Sequence, residues 1–508
     1  MKYGMIATGS KEASEAALEI LKVGGNAFDA SISAVMTSMT SEVNLTSMAG
    51  GGCLLAYKNG QNPILYDFFV DAPPMRGRSD FEFYKTSINF GEAEQVFYIG
   101  KGSIAIPGNI KGLLHVHKKL GKLPLRIVTQ PAIEIAKNGV TLSKSQAYIT
   151  KLLTEIIQTS ADSRKLFINN DKILDEGDIF CNSDFANFLE WITEDGDRPF
   201  YEGELGEKLI SHLGKDGLIK MEDLNRYKVF ERKPINHKIL NRTLFTNPSP
   251  SVGGTLMIFL LQLLKHINKE HHFDYSLLIK LMAATTSARY EFFKDPNNQY
   301  QLDCLSNQDI IDKYVNLIKS SKYYTDDFID NGLGSTTHVS IIDKDGNASS
   351  VTTTNGESCG HVLPGTGVML NNMLGEQDLN PLGFHNWNNQ KRMPTLISPS
   401  LLLDKDGIID LVIGSAGSNR IRSAIIQVMT NYLNKNMTLK DSIYFPRLHL
   451  EGFNLHLEPG FNIHGLSISE EIKISQFPDL NLFFGGVNAV TKDEAISDPR
   501  RGGFSIEC

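Results

Sequence analysis

Paired cysteines are missing from this chain. Its five cysteines, Cys53, Cys181, Cys304, Cys359 and Cys508, are odd in number, scattered through 508 residues and never spaced as C-x-x-C. That pattern excludes a disulfide framework and the common redox and zinc motifs. It fits reduced thiols, each read as a small buried hydrophobe. Long apolar runs are missing too. The densest, Leu256 to Leu264, is broken by Gln262 and falls well short of the roughly 20 residues of a spanning helix. The opening Met1-Lys2-Tyr3-Gly4-Met5 runs into Lys11-Glu12 without the apolar stretch of a secretory signal. A cytoplasmic location is the expectation. Positive charge is not in excess: 50 Lys+Arg face 58 Asp+Glu, a net charge of −8. No field draws nucleic acid or anionic lipid, so neither nucleic acid nor membrane is expected as a partner.

What is present is an ordinary globular balance, 41% hydrophobic and 21% charged. A chain this long buries about three quarters of its unfolded surface and needs no metal to fold. Lys11 to Val23 reads as an amphipathic helix ended by Gly24-Gly25, and Asn26 to Thr37 as a second, small-residue helix. Ala49 to Tyr57 reads as a buried strand, with Asn59-Gly60 closing a hairpin. Helices are predicted at Lys111–Lys119, Pro131–Lys137, Ser145–Thr159, Asp184–Thr193 and Gly254–Lys265. Two hairpins follow, Thr336–Ile342 with Ala348–Thr354 and Leu401–Leu403 with Ile408–Ile413, each turning on Asp-Lys-Asp-Gly, and then a helix at Arg422–Leu433. Strands buried under helices make an α+β layer structure. No linker or repeat divides the chain.

Several motifs fail on their context. Gly356-Glu357-Ser358-Cys359-Gly360 matches G-x-S-x-G, yet His361-Val362-Leu363-Pro364-Gly365 is no helix for a nucleophile elbow. The Asp-Lys-Asp-Gly turns place glycine fourth rather than sixth, unlike a calcium loop. Gly50-Gly51-Gly52 is not a dinucleotide turn. Neither His271-His272 nor His115/His117 has metal-ligand spacing. No metal and no cofactor is expected.

The chemistry falls to Gly334-Ser335-Thr336-Thr337-His338. A threonine hydroxyl needs a base beside it to act as a nucleophile. Cutting the Ser335–Thr336 bond would supply one, because the freed α-amine has a reference pKa of about 8. Alone, the segment reads as a plain surface strand with two threonines. Two observations favour acyl transfer. A hairpin centred on Asp345 sets Thr336 opposite Thr354, with Cβ atoms about 5 Å apart. In addition, Gly414-Ser415-Ala416-Gly417-Ser418 forms a small-residue turn whose N–H groups suit a developing oxyanion.

These residues resemble the small subunit of the γ-glutamyltransferases, which are N-terminal nucleophile hydrolases. The likeness runs through Gly367–Asn372, Ser398-Pro399-Ser400, Gly414–Arg420 and Asp498-Pro499-Arg500. It also covers Gly24–Ala30, Gly50-Gly51-Gly52 and Pro107-Gly108 in the first half. It implies a four-layer αββα sandwich made as a precursor that cuts itself into 1–335 and 336–508, the two pieces interleaved in one folded unit. Thr336 is then the nucleophile and Thr354 its hydrogen-bond partner. Gly417 and Ser418 provide the oxyanion N–H groups, with serine where the family has a second glycine. The acyl group passes to water or to an amine.

The match fails where substrate is held. Phe69 stands in place of the arginine that grips the γ-glutamyl α-carboxylate. Near Asn372 the chain offers Met373 and Glu376, the latter fitting the amine-binding carboxylate. Thr395-Leu396 replaces two serines, Asn355 stands for the family asparagine, and Glu376 to Lys391 is short for a covering lid. Three functions follow: a γ-glutamyl hydrolase or transferase acting on glutathione-like small-molecule or peptide amides; an amidase or acylase for another acyl group; or an uncleaved, non-catalytic scaffold. Association into a homo-oligomer is left open.

Overall fold

The computed structural model describes residues 2–89, 94–268, 274–292, 305–320, 335–434, 437–461, 463–466 and 469–508. Cys304, His271-His272 and Gly334 lie outside them. Two antiparallel sheets carry the fold. The first is built from β1 (Gly4–Thr8), β2 (Gly51–Tyr57), β3 (Ile64–Phe68), β4 (Phe230–Arg232), β7 (Thr336–Asp343), β8 (Ala348–Thr354) and β13 (Phe504–Glu507), in the order β4-β3-β2-β8-β7-β1-β13. The second is built from β5 (Ile235–Ile239), β6 (Arg242–Thr246), β9 (Ser400–Asp404), β10 (Ile409–Ala416), β11 (Gly486–Val490) and β12 (Ala495–Ile496), in chain order across the sheet.

Strand alternation sorts the layers. Ile6, Leu54, Ala56, Val339, Ile341 and Val351 point to one face of the first sheet and pack with helices α1 (Lys11–Lys22), α2 (Ala27–Ser41), α3 (Asn109–Leu120) and α4 (Leu125–Asn138). The opposite face, with Met5, Ala7, Cys53 and Leu55, packs toward the second sheet. That sheet is covered in turn by α5 (Val252–Ile267), α6 (Tyr275–Phe292) and α7 (Arg420–Asn434). The result is the expected four layers. Helix α2 is buried along its whole length, which its Ala and Ser content allows, and a capping box of Asn26 and Asp29 starts it.

The layer between the sheets is partly polar and hydrogen-bonded throughout. His338 is buried between the Thr352 and Ser340 hydroxyls at 2.7 and 2.9 Å. Ser340 Oγ donates to the Asn488 carbonyl and Ser350 Oγ to the Ile413 carbonyl. Burial pushes the His338 pKa down to about 3, so the ring is neutral. Gly414 has to be glycine, because a Cβ there would lie 2.2 Å from the His338 ring.

The sequence reading is corrected in three places. β10 continues through Ala416, so Gly414-Ser415-Ala416 is strand and only Gly417-Ser418 turns; the small residues there admit the His338 ring. The helix expected over Ser145–Thr159 is two, Lys144–Leu152 and Thr154–Ile157. β4, β5 and β6 fall inside the stretch read as mainly helical. β4 and β5 are edge strands and β6 lies next to β5, and all three are only partly buried, so they lack a clear apolar alternation.

Candidate active site

The hairpin β7–β8 pairs Thr336 with Thr354, Thr337 with Thr353 and His338 with Thr352. The Ser335–Thr336 peptide at its open end is buried, with Ser335 6% and Thr336 3% exposed. Both sides of that peptide unit are held. The Thr354 hydroxyl donates to the Ser335 carbonyl and accepts from the Gly356 N–H at 3.1 Å. The Ser335 N–H donates to Glu357 Oε1 at 3.0 Å. The next residue is anchored too, since Thr337 Oγ1 donates to both oxygens of buried Glu42 at 3.0 and 3.1 Å.

Gly417 and Ser418 lie at the same end of the sandwich. Ser350, level with Ser340 across the hairpin, bonds Ile413, and the His338 ring meets Gly414. Moving along β7 toward Thr336 therefore follows β10 toward its turn. Gly417 has φ +117 and Ser418 φ +48, so two consecutive residues occupy the left-handed region and only one is glycine. The serine is held there by its hydroxyl, which donates to Asp378 Oδ2 at 2.9 Å. Asp378 is in turn held by Arg289 of α6. A Cβ on Gly417 would meet Gly485 Cα at 2.9 Å and Arg501 Nη2 at 3.4 Å.

The remaining predicted residues divide. Asn355 is buried, and its Nδ2 donates to the Leu370 carbonyl at 3.4 Å. Glu376 approaches Gly356 (φ +59), where an added Cβ would lie 2.2 Å from Glu376 Oε1 and 2.0 Å from Asn372 Oδ1. Thr395 is occupied elsewhere. Its carbonyl accepts from the Val252 and Gly253 N–H groups at the start of α5, and its hydroxyl accepts from the Ile397 N–H. Among the described residues no hydrogen bond joins Thr395 to the Thr336 cluster. The segment after Glu376 folds onto itself through Asn380, which bonds the Met373 and Glu376 carbonyls and the buried Trp387 indole.

Phe69 is buried in the core, and the cation beside it is Arg392. That guanidinium donates to the Phe69 carbonyl and the Tyr227 hydroxyl and pairs with Asp71 at 3.1 Å and Asp67 at 3.5 Å. Its charge is already matched. It lines a separate cavity of about 560 Å³ with Arg226, Lys228, Phe230 and Arg232, at the β4 edge of the sheet. Arg420, which opens α7, is different. Its Nε donates to the Phe483 carbonyl at 3.1 Å. Its guanidinium lies over the Phe483 ring at 4.8 Å, and both its Nη atoms are buried without a hydrogen-bond partner among the described residues.

Glu42, Glu357, Asp378 and Arg420 had not been picked out as site residues from the sequence. Glu357 carried a signal, being an acidic residue three places after Thr354 in a stretch of small residues. Burial pushes Glu42 and Glu451 each up to about 7 and raises Glu357 and Glu376, which face each other as like charges. A carboxyl raised in the fold keeps its proton where the unfolded chain has lost it, so stability falls as pH rises through the folded value. Above pH 6.5 the histidines held neutral by burial no longer oppose this, because unfolded histidine is neutral there as well. Thermal unfolding of the uncut Thr336→Ala protein should therefore show a midpoint that drops between pH 6.5 and 8. A flat profile would contradict the burial of these carboxyls.

A four-layer sandwich with a threonine heading a buried central strand defines the class of N-terminal nucleophile hydrolases. A family profile described as gamma-glutamyltranspeptidase matches residues 13–508, and the chain belongs to that family of hydrolases and transferases. It is 28% identical over 502 residues to a glutathione hydrolase proenzyme of Escherichia coli, covering 92% of this chain and 85% of that one. It is 28% identical over 513 residues to the acylase ACY 1 proenzyme of a Pseudomonas species, covering 96% and 89%. Among solved structures, a cephalosporin acylase from Bacillus halodurans superposes with a TM-score of 0.81 at 20% identity, covering 99% of this chain and 96% of that one. This last likeness speaks for the fold alone.

Proposed function

We propose that the chain is a precursor that cuts its own Ser335–Thr336 bond and then transfers acyl groups from γ-glutamyl amides to water or an amine, with Thr336 as nucleophile. The observation that carries this reading is the grip on the scissile unit: the Thr354 hydroxyl sits on the carbonyl that Thr336 must attack. Donors placed on a carbonyl oxygen stabilise the charge that develops there. Cutting would leave 1–335 and 336–508 associated, because strands from both sides of the cut pair with one another within each sheet. After the cut, the Thr336 amine is the base and Thr354 orients the hydroxyl. The Gly417 and Ser418 N–H groups receive the oxyanion of the donor, and Asn355 and Glu376 hold its polar end. Arg420, whose two Nη atoms have no hydrogen-bond partner among the described residues, takes the carboxylate in place of the missing arginine.

A second reading, an acylase for a non-γ-glutamyl group, draws on Phe69 and on the saturation of Arg392 by Asp67 and Asp71. One relative in sequence, the acylase ACY 1 proenzyme, carries an acylase name. The test is turnover by purified, self-cut protein of γ-glutamyl-4-nitroanilide against glutaryl- and acetyl-4-nitroanilide. The first reading expects the γ-glutamyl compound to be preferred at least tenfold in kcat/KM. Preference for either of the others would overturn it in favour of the acylase.

A further inference from the structure

Among the described residues, five cationic side chains line the cavity at the β4 edge of the first sheet: Arg226, Lys228, Arg232, Lys391 and Arg392. One carboxylate, Asp71, lines it with them. The cavity measures about 560 Å³, within the range that takes small molecules. In a chain of net charge −8 this is a local reversal of sign, and a recess lined by one sign of charge concentrates the opposite ion.

The acids around the cavity are already taken. Asp67 pairs with Arg232 at 2.8 Å and with Arg392 at 3.5 Å, and Asp71 pairs with Arg392 at 3.1 Å. Arg76 holds Glu222 and Asp223 at 2.7 and 2.6 Å. Alternation along β4 turns Glu231 toward α3, where Lys119 and His115 hold it at 3.0 and 2.9 Å. Two arginines are thus balanced by two aspartates. Arg226, Lys228 and Lys391 make no ion pair among the described residues.

The wall behind these cations is fixed. The Phe230 ring lies 4.8 Å from the Arg232 guanidinium and 5.2 Å from that of Arg392. Lys391 and Arg392 pair as a short ladder with Asp71 and Ala72. Gln390 Nε2 donates to Asp71 Oδ2 at 3.1 Å and to the Asp223 carbonyl at 3.2 Å. Both sides of the recess are therefore held to one another before any ligand arrives.

We propose that this cavity binds a small anion of about three negative charges, of polyphosphate or polycarboxylate type, through Arg226, Lys228 and Lys391. A guanidinium and two ammonium groups only donate hydrogen bonds, so their ligand has to supply acceptors and negative charge. A cation would be repelled, and a neutral ligand would leave all three charges unmet. The site is separate from Thr336: the four strand spacings from β7 through β8, β2 and β3 to β4 put about 19 Å between the nucleophile and this edge. An anion seated here does not touch Thr336, and the proposal stands whether or not the chain cuts itself.

Calorimetric titration of the purified protein at one fixed ionic strength, with pyrophosphate and separately with citrate, should reveal one saturable site per chain for at least one of them. The tighter of the two identifies the phosphate or the carboxylate source. Replacing Arg226, Lys228 and Lys391 together by alanine should weaken that binding at least tenfold. Lys58, Lys144 and Lys405 are exposed cations elsewhere; replacing those three by alanine removes the same total charge and should change the affinity less than threefold. Lys228→Ala alone, on an exposed side chain, should cost at least threefold and keeps the test available if the first triple variant folds poorly. No saturable binding of either anion by the wild type would overturn the proposal. Unchanged binding in Lys228→Ala, or equal losses in the two triple variants, would overturn it as well.

Discussion

Thr336→Ala should purify as one chain of 508 residues, where the wild type should give pieces of 335 and 173, and its amide turnover should fall by at least about a thousandfold, the scale seen when a covalent nucleophile is deleted. The substitution removes one hydroxyl and one methyl from a residue whose backbone is held in the β7–β8 ladder. The fold should survive, with far-UV circular dichroism unchanged. What disappears is the hydroxyl proposed to attack the Ser335 carbonyl. The supporting contacts remain: Thr354 on the carbonyl and Glu357 on the N–H. They hold the bond in position without a nucleophile to use it. Thr336→Ser restores a hydroxyl at the same place and should cut, more slowly, because the lost methyl leaves its χ1 freer. Two bands from Thr336→Ala would remove Thr336 as the nucleophile.

Arg500→Met should destabilise the protein by about 3–5 kcal/mol, the cost of breaking a buried ion pair by removing one partner. It is to be measured as a lower denaturant midpoint. Arg500 is buried against two carboxylates. Its Nε and Nη2 meet Glu458 at 2.7 and 2.6 Å, and its Nη1 meets Asp498 at 3.2 Å. Arg447 supplies a second cation to Asp498 at 2.6 Å. Those two cations hold the Asp498 carboxyl below its ordinary range although burial opposes it. Methionine fills similar volume but leaves Glu458 without its cation. The effect reaches the site, because Asp498 also accepts from the Val487 N–H on β11 and the neighbouring Arg501 lies against Gly417. Turnover should fall along with stability. A midpoint within experimental error of the wild type would show that the cluster is not load-carrying in the fold.

The legible part of this chain is local. Thr336 and Thr354 come out opposite one another because a strand has period two and a short Asp-Lys-Asp-Gly-Asn turn leaves one register. In the structure Asp343 Oδ1 takes the Asp345 and Asn347 N–H groups, which is how that sequence makes that turn. The helices with a clear apolar stripe and a capping residue, such as Lys11–Lys22 behind Ser10, were equally readable. Gly414–Ala416 misled because small residues serve a turn and a close sheet-to-sheet contact alike, and only the His338 ring across the gap tells them apart. Thr395 misled in another way. A hydroxyl at a matching position says nothing about which way it faces, and here the loop turns it onto its own backbone.

From the chain alone came the hairpin, its register, and the class of chemistry that a threonine at the head of a strand admits, since bond geometry and side-chain spacing settle all three within some twenty residues. The tertiary structure alone decided which carboxyls are buried, which buried atoms lack a partner, and which arginine is already spent. Glu42 reaches Thr337 across almost three hundred residues, and Arg392 loses its availability to Asp67 and Asp71 by the same kind of distant meeting. Desolvation and pairing belong to the packed environment, and no single stretch of chain contains that environment.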